Sequence, residues 1–188
     1  MKPTPENGRP DMKIFLDSAD IDEIQAQIAS GFVDGVTTNP SLIAKSGRNI
    51  LETISAICEM VDGPVSAEVT ATEYDKMLEE GKYLASLAKN VAVKVPLTPA
   101  GLQTCKALRE KDIMVNVTLC FSAAQALLAA KVGATFISPF VGRLDDIGEK
   151  GMDLISDIVI MYENYGFDTE VLVASVRNTQ HLIDAAVI

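Results

Sequence analysis

The sequence predicts an α/β fold, a TIM-type (β/α)8 barrel of which seven strands and their helices are present in these 188 residues. Three observations predict it. Strand-like and helix-like patterns alternate with short links, which argues for parallel strands joined by crossover helices. Almost every strand pattern ends in a polar residue opposite its most apolar face, as the mouth of a barrel requires. The rival fold, an open doubly wound sheet, usually carries a G-x-G-x-x-G loop after its first strand, and none stands there.

Residues 1–11 (MKPTPENGRPD) hold three prolines and a glycine without apolar periodicity. They are read as a disordered leader or extension with Met12 as an alternative start, leaving 12–188 as one barrel domain. Strand 13–17 comes next, then Ser18-Ala19-Asp20 and a helix near 20–30 with Ile21, Ile24 and Ile28 at helical spacing. Strand 35–37 precedes a helix over 49–61 carrying Ile50, Ile54 and Ile57. Strand 65–70 precedes a helix over 73–89, with Met77, Gly81, Leu84, Ala85 and Ala88 on one face. Strand 91–95 leads to a helix over 99–110 that opens on proline, where a missing N–H costs nothing. Strand 114–118, an alanine- and leucine-rich helix over 122–132, strand 135–138, a helix over 153–165, strand 171–174 and a helix from about 179 complete the order.

Successive side chains of a strand point to opposite faces. Phe15 and Asp17 therefore share a face. Ser66, Glu68 and Thr70 oppose Val65, Ala67 and Val69; Ala92 and Lys94 oppose Val91, Val93 and Val95; Asn116 and Thr118 oppose Val115 and Val117. Asp17, Glu68 and Lys94 each cost several kcal/mol to bury unpaired, and convergence at one mouth accounts for all three. Lys94 is expected among apolar neighbours at the end of a buried strand. Burial disfavours a charged amine, and a neutral amine is a nucleophile that can form a Schiff base with a carbonyl. On its own strand alone, a lysine snorkelling to solvent is the commoner reading, and the rest of the chain shifts it.

The links add polar groups. Thr37-Thr38-Asn39-Pro40 follows the second strand, Phe140-Val141-Gly142-Arg143 the sixth and Ser175-Val176-Arg177-Asn178 the seventh. Late loops of such barrels favour phosphate, and arginine forks suit its oxygens, so Arg143 and Arg177 are a candidate phosphate clamp; as lone residues they are ordinary surface charges.

Composition narrows the function classes. Hydrophobic residues make up 48%, enough for a substantial core, and the net charge of −10 disfavours nucleic acid and requires a local basic pocket for any anionic substrate. No run approaches the roughly 18 apolar residues of a membrane span, and the start lacks the apolar segment of a signal peptide, so a cytoplasmic protein is expected. Cys58, Cys105 and Cys120 have no metal-like spacing and read as buried thiols. With His181 the sole histidine, a metal site or a Ser-His-Asp triad has almost no material, and His181 reads as structural.

Phe15-Leu16-Asp17-Ser18-Ala19, Gly35-Val36-Thr37-Thr38-Asn39-Pro40-Ser41-Leu42, Val93-Lys94-Val95-Pro96, Asn116-Val117-Thr118-Leu119, Ser138-Pro139-Phe140-Val141-Gly142-Arg143 and Ala174-Ser175-Val176-Arg177-Asn178 together resemble the transaldolase family, in particular its small class, which includes fructose 6-phosphate aldolases. The resemblance implies the following roles. Lys94 forms the Schiff base, Asp17 is the general acid/base at carbon–carbon cleavage, and Glu68 with Thr118 holds a proton-carrying water. Asn39 and Asn116, aided by Ser175, orient the dihydroxyacetone hydroxyls, while Thr37 and Phe140 line the substrate and Arg143 and Arg177 grip phosphate. No cofactor is implied, since a protonated imine is itself an electron sink. The implied reaction moves a dihydroxyacetone unit from sedoheptulose 7-phosphate or fructose 6-phosphate to an aldose phosphate, glyceraldehyde 3-phosphate or erythrose 4-phosphate, in the pentose phosphate pathway. Glu68 and Phe140 are the transferase-like choices, where the aldolase branch has glutamine and tyrosine. The alternatives are a fructose 6-phosphate aldolase, a Schiff-base aldolase for a deoxysugar phosphate, or an inactive phosphate-binding barrel. The resemblance also implies a homo-oligomer, a ring pentamer or decamer. The family pattern continues into an eighth strand beyond Ala185-Ala186-Val187-Ile188, so an open edge between the first and seventh strands is expected, with consequences for site geometry and assembly.

Overall fold

Seven strands pair in parallel, each with the next in sequence: β1 (Phe15–Asp17), β2 (Gly35–Thr37), β3 (Val65–Glu68), β4 (Val91–Pro96), β5 (Met114–Cys120), β6 (Phe136–Pro139) and β7 (Glu170–Val171). This is a computed structural model, and it describes residues 12–188; the leader read at 1–11 lies outside the described residues. The order never reverses, so the sheet has no switch point of the doubly wound kind. It is also curled. The rings of Phe15 on β1 and Phe136 on β6 stand edge to face with centroids 5.8 Å apart. Five strand spacings in a flat sheet would separate them by about 24 Å. Lys13, at the foot of β1, places Nζ 2.6 Å from Glu170 Oε2 on β7, so the two edge strands meet at their amino ends. The fold is a curled seven-stranded sheet of the TIM-barrel type.

The helices lie outside this curl: α1 (Ile21–Ile28), α2 (Pro40–Ser46), α3 (Ile50–Met60), α4 (Tyr74–Ala85), α5 (Pro99–Arg109), α6 (Ala123–Lys131), α7 (Val141–Asp145), α8 (Gly151–Tyr165) and α9 (Thr179–Val187). Their starts are written locally. Asp20, Asn39, Asn49, Thr98, Ser122 and Asn178 each accept a first-turn N–H, a cap worth about 1 kcal/mol. Two helices, α2 and α7, fall where the sequence reads as links. Both are short, so neither builds the apolar stripe by which a helix is recognised. The seventh strand is the other correction, since its ladder covers Glu170–Val171 rather than 171–174. Beyond it Leu172 and Ala174 still donate to the carbonyls of Ile137 and Pro139, and Ala174 forms an isolated bridge with Phe140.

The hydrophobic core is the layer between sheet and helices. Val65, Ala67, Val93, Val95, Val115, Val117 and Ile137 face outward and pack with Ile24, Ile54, Ile57, Met77, Leu108 and Ile158, each full burial of a branched side chain contributing about 1.5–3 kcal/mol. The opposite strand faces line the interior. Gly35 sits there because a Cβ would press on the Phe15 ring and on the Pro64 carbonyl oxygen at 2.7 Å. That oxygen is backbone and cannot give way. Gly35→Ala is expected to destabilise the fold by about 1–3 kcal/mol, read as a lower urea midpoint; an unchanged midpoint would show the foot of the barrel to be loosely packed.

Burial also governs the thiols. Desolvation pushes Cys58 and Cys120 up to about 11 and Cys105 to about 12. In native protein at pH 8 they should react with a disulfide reagent more than about a hundredfold slower than an exposed thiol, from thiolate fraction alone. Rapid native-state labelling at any of the three would contradict this packing.

Candidate active site

The register Glu68↔Lys94↔Asn116 sets three polar side chains abreast on the interior face of β3, β4 and β5. Lys94 is 8% exposed. Its Nζ lies 3.0 Å from Glu68 Oε2 and donates to the Thr38 carbonyl oxygen at 3.3 Å. This corrects the apolar surroundings expected for Lys94. The alternation rule describes one strand, whereas a side chain's company comes from the strands on either side. The valines of β4 belong to the outer layer, and Lys94 looks into a polar interior.

Asn116 is fully buried and bridges three strands. Its Nδ2 donates to Ser66 Oγ at 3.1 Å, and its Oδ1 accepts from Ser138 Oγ at 2.8 Å. The Asp17↔Thr37 register places another pair at the mouth, Thr37 Oγ1 donating to Asp17 Oδ1 at 2.8 Å. Thr118 Oγ1 is buried without a hydrogen-bond partner, which leaves its hydroxyl for a bound molecule. A register shift between Val117 and Cys120 follows at once, with Leu119 at a φ of 62°. A left-handed conformation in a leucine costs on the order of 1–3 kcal/mol and is of the kind held at functional sites.

The links complete the mouth. Asn39 accepts the Leu42 N–H on its Oδ1 at 2.9 Å, capping α2, which leaves its NH2 group for a ligand. After β7 the chain turns at Ser175, whose φ is 59°, and Gly142 donates its N–H to the Ser175 carbonyl at 3.1 Å. Gly142 has no alternative there, because a Cβ would strike that carbonyl and lie 2.5 Å from Arg177 Cγ. Arg177 forks onto Asp146, with Nη2 2.8 Å from Oδ2 and Nη1 3.3 Å from Oδ1. Both partners are about half exposed, so the pair holds little energy and can be exchanged for another anion. Arg143 is exposed, with no hydrogen bond or ion pair among the described residues.

These groups converge. One cavity of about 820 Å³ is lined by every candidate catalytic or substrate-binding residue read from the sequence except Glu68, which touches it through Lys94. Its lining holds four cations, Lys13, Lys94, Arg143 and Arg177, and three side-chain carboxylates, Asp17, Glu163 and Glu170, of which Lys13 and Glu170 pair with each other. The cavity is thus richer in positive charge than the acidic whole. Among the described residues no three His, Cys, Asp or Glu side chains are placed to hold a metal ion, and no helix is long and apolar enough to cross a membrane.

Known proteins share this arrangement of sequence. Residues 14–188 match the model of the Transaldolase/Fructose-6-phosphate aldolase family. The chain belongs to that family. Proteins called "Probable transaldolase" are close to it: one from Jannaschia sp. (strain CCS1) is 63% identical, over 94% of this chain and 82% of its own length. One from Rhodospirillum centenum is 60% identical, over 93% of this chain and 76% of its own length. The match to the family model spans β1 through α9, and so takes in Asp17, the Lys94 floor and both arginines.

Sequence reasoning missed four contributors to the candidate site. Ser66 and Ser138 hold Asn116, the Thr38 carbonyl receives Lys94, and Asp146 occupies Arg177. The two serines had a signal, since both stand at interior positions of their strands. A backbone carbonyl carries none, and Asp146 is one acid in a run of charges.

Proposed function

We propose that the chain is a transaldolase working through a Schiff base on Lys94. The observation that carries the reading is the enclosed Lys94–Glu68 pair at the floor of a cavity whose rim holds Asp17, Arg143 and Arg177. Glu68 is the base nearest the amine and can take the proton that Lys94 must lose to attack a ketose carbonyl. Attack at C2 gives a carbinolamine, and loss of water gives a protonated imine. Thr118, with its unused hydroxyl, would hold that water together with Glu68. Asp17 then removes the proton of the C4 hydroxyl, the C3–C4 bond breaks, and its electron pair flows into the imine to give an enamine. The aldose phosphate leaves, and the three-carbon unit stays on Lys94 until a second aldose phosphate accepts it by the reverse steps. Asn39, Asn116 and Ser175 orient the hydroxyls of this unit. Arg143 and Arg177 bind the phosphate, the latter by exchanging Asp146 for it.

Phe140 favours transfer over release. It lines the cavity with Phe121 edge to face against it, ring centroids 5.7 Å apart, and a phenyl ring has no proton to give the enamine. On the same reading the substrates belong to the pentose phosphate pathway, the enzyme works in the cytoplasm, and it assembles as a homo-oligomer. The exposed apolar residues of α9, Leu182, Ile183 and Val187, are a surface such an assembly would cover.

The test is borohydride trapping with fructose 6-phosphate followed by peptide mass spectrometry. A three-carbon adduct on Lys94 is expected, with turnover that depends on added erythrose 4-phosphate. No adduct on protein that is folded by circular dichroism would defeat the reading. Free dihydroxyacetone released without an acceptor would make the activity a lyase instead.

A further inference from the structure

We propose that His181 is a positioning residue for the phosphate-binding arginine: its imidazole, held by Asp145, fixes the Arg177 backbone in the turn from which that side chain enters the cavity. The inference rests on the assignment of Arg177 to phosphate made above.

His181 stands in the first turn of α9 and is 8% exposed. Both ring nitrogens are engaged. Nε2 lies 2.9 Å from Asp145 Oδ2, and Nδ1 accepts the backbone N–H of Arg177 at 3.3 Å. A nitrogen that accepts a hydrogen bond cannot carry a proton. The neutral ring is therefore the tautomer with its proton on Nε2, pointed at the carboxylate. Asp145 is itself anchored, since its Oδ1 accepts the Gly151 N–H at 3.0 Å. The end of α7, the start of α8 and the start of α9 thus meet at one imidazole.

What this fixes is a turn that the backbone would not choose unaided. Ser175 holds a left-handed φ of 59°, and the N-cap Asn178 accepts the His181 N–H at 2.9 Å. Arg177, between them, has its side chain laid along Gly142 and its guanidinium on Asp146. The adjacent aspartates divide the work. Asp146 holds the head of Arg177 directly, and Asp145 holds its backbone through His181. When phosphate replaces Asp146 at the guanidinium, the hold through His181 is the one that remains.

A buried histidine with a purely structural role also fills its two nitrogens, so the test must separate them. Asparagine places an oxygen where Nδ1 stands. Glutamine reaches the Nε2 position and supplies nothing at Nδ1. His181→Asn should keep KM for fructose 6-phosphate within about twofold, whereas His181→Gln should raise it about tenfold, the scale of one hydrogen bond. The loss should be confined to the phosphorylated donor, with kcat and the trapping of unphosphorylated dihydroxyacetone little altered. Equal effects of the two substitutions, or an equal loss with dihydroxyacetone, would overturn the proposal. Arg177→Ala is the companion variant. If it leaves KM for fructose 6-phosphate unchanged, the phosphate assignment falls and takes this inference with it. If it raises KM and His181→Gln does not, the inference alone falls. The wild-type protein supplies a second measurement. The chain has one histidine, so its ring 15N signals need no assignment by mutation, and an unprotonated Nδ1 beside a protonated Nε2 is expected. A protonated Nδ1 overturns the proposal whether or not either variant folds.

Discussion

Replacing Lys94 by alanine is expected to abolish the borohydride-trapped adduct and to lower turnover on the order of 10⁶-fold, the scale seen when a covalent nucleophile is removed. The other lysine lining the cavity, Lys13, is bound to Glu170 at the foot of the barrel and cannot substitute. The substitution should also cost stability. It leaves the Glu68 carboxylate, whose side chain is 21% exposed, without its cation. The loss should be about 1–3 kcal/mol, below that for a fully buried pair because Glu68 still meets solvent. Lys94→Arg separates the two effects, since a guanidinium preserves the charge beside Glu68 and forms no stable imine. Thermal melts followed by circular dichroism, run beside mass spectrometry of the trapped peptide, check both. An adduct that survives either substitution would remove Lys94 from the mechanism.

Asp17→Asn should change which adduct is trapped. With Lys94 and Glu68 intact the imine still forms, but no carboxylate is present to take the C4 hydroxyl proton. Turnover is expected to fall about 10²- to 10⁴-fold, and the species on Lys94 to shift from a three-carbon unit to the intact six-carbon sugar phosphate. Asparagine keeps an Oδ1 to accept from Thr37, and position 17 is exposed at the mouth, so the fold should be little affected. Peptide mass spectrometry reads the difference directly. A three-carbon adduct formed at the wild-type rate would assign the proton transfer to another group.

The interior face of each strand was legible because alternation is local. The parities of Phe15 and Asp17, Ser66 and Glu68, Ala92 and Lys94, and Asn116 and Thr118 follow from two-residue periodicity alone. Of these, Phe15, Asp17, Lys94, Asn116 and Thr118 line the cavity, and none of the valines of opposite parity on β3, β4 and β5 does. The caps at Asp20, Thr98 and Ser122 are equally local, being bonds to N–H groups two or three residues on, although the sequence reading did not single them out. The short helices α2 and α7 were not legible, because a one- or two-turn helix draws its support from what it packs on rather than from its own pattern.

Side-chain partners are a different matter. Lys94 and Glu68 are twenty-six positions apart, Arg177 and Asp146 thirty-one, and His181 and Asp145 thirty-six. Nothing in the spacing of such pairs distinguishes them from other acids and bases of the chain. The chain's local order fixes which groups face inward, since backbone geometry alternates side chains whatever the rest of the molecule does. Which of those groups touch is settled by strand register and by the curl that brings Phe15 to Phe136. Those are outcomes of packing the whole sheet against its helices, and the pairs at Lys94, Arg177 and His181 exist only once that packing is complete.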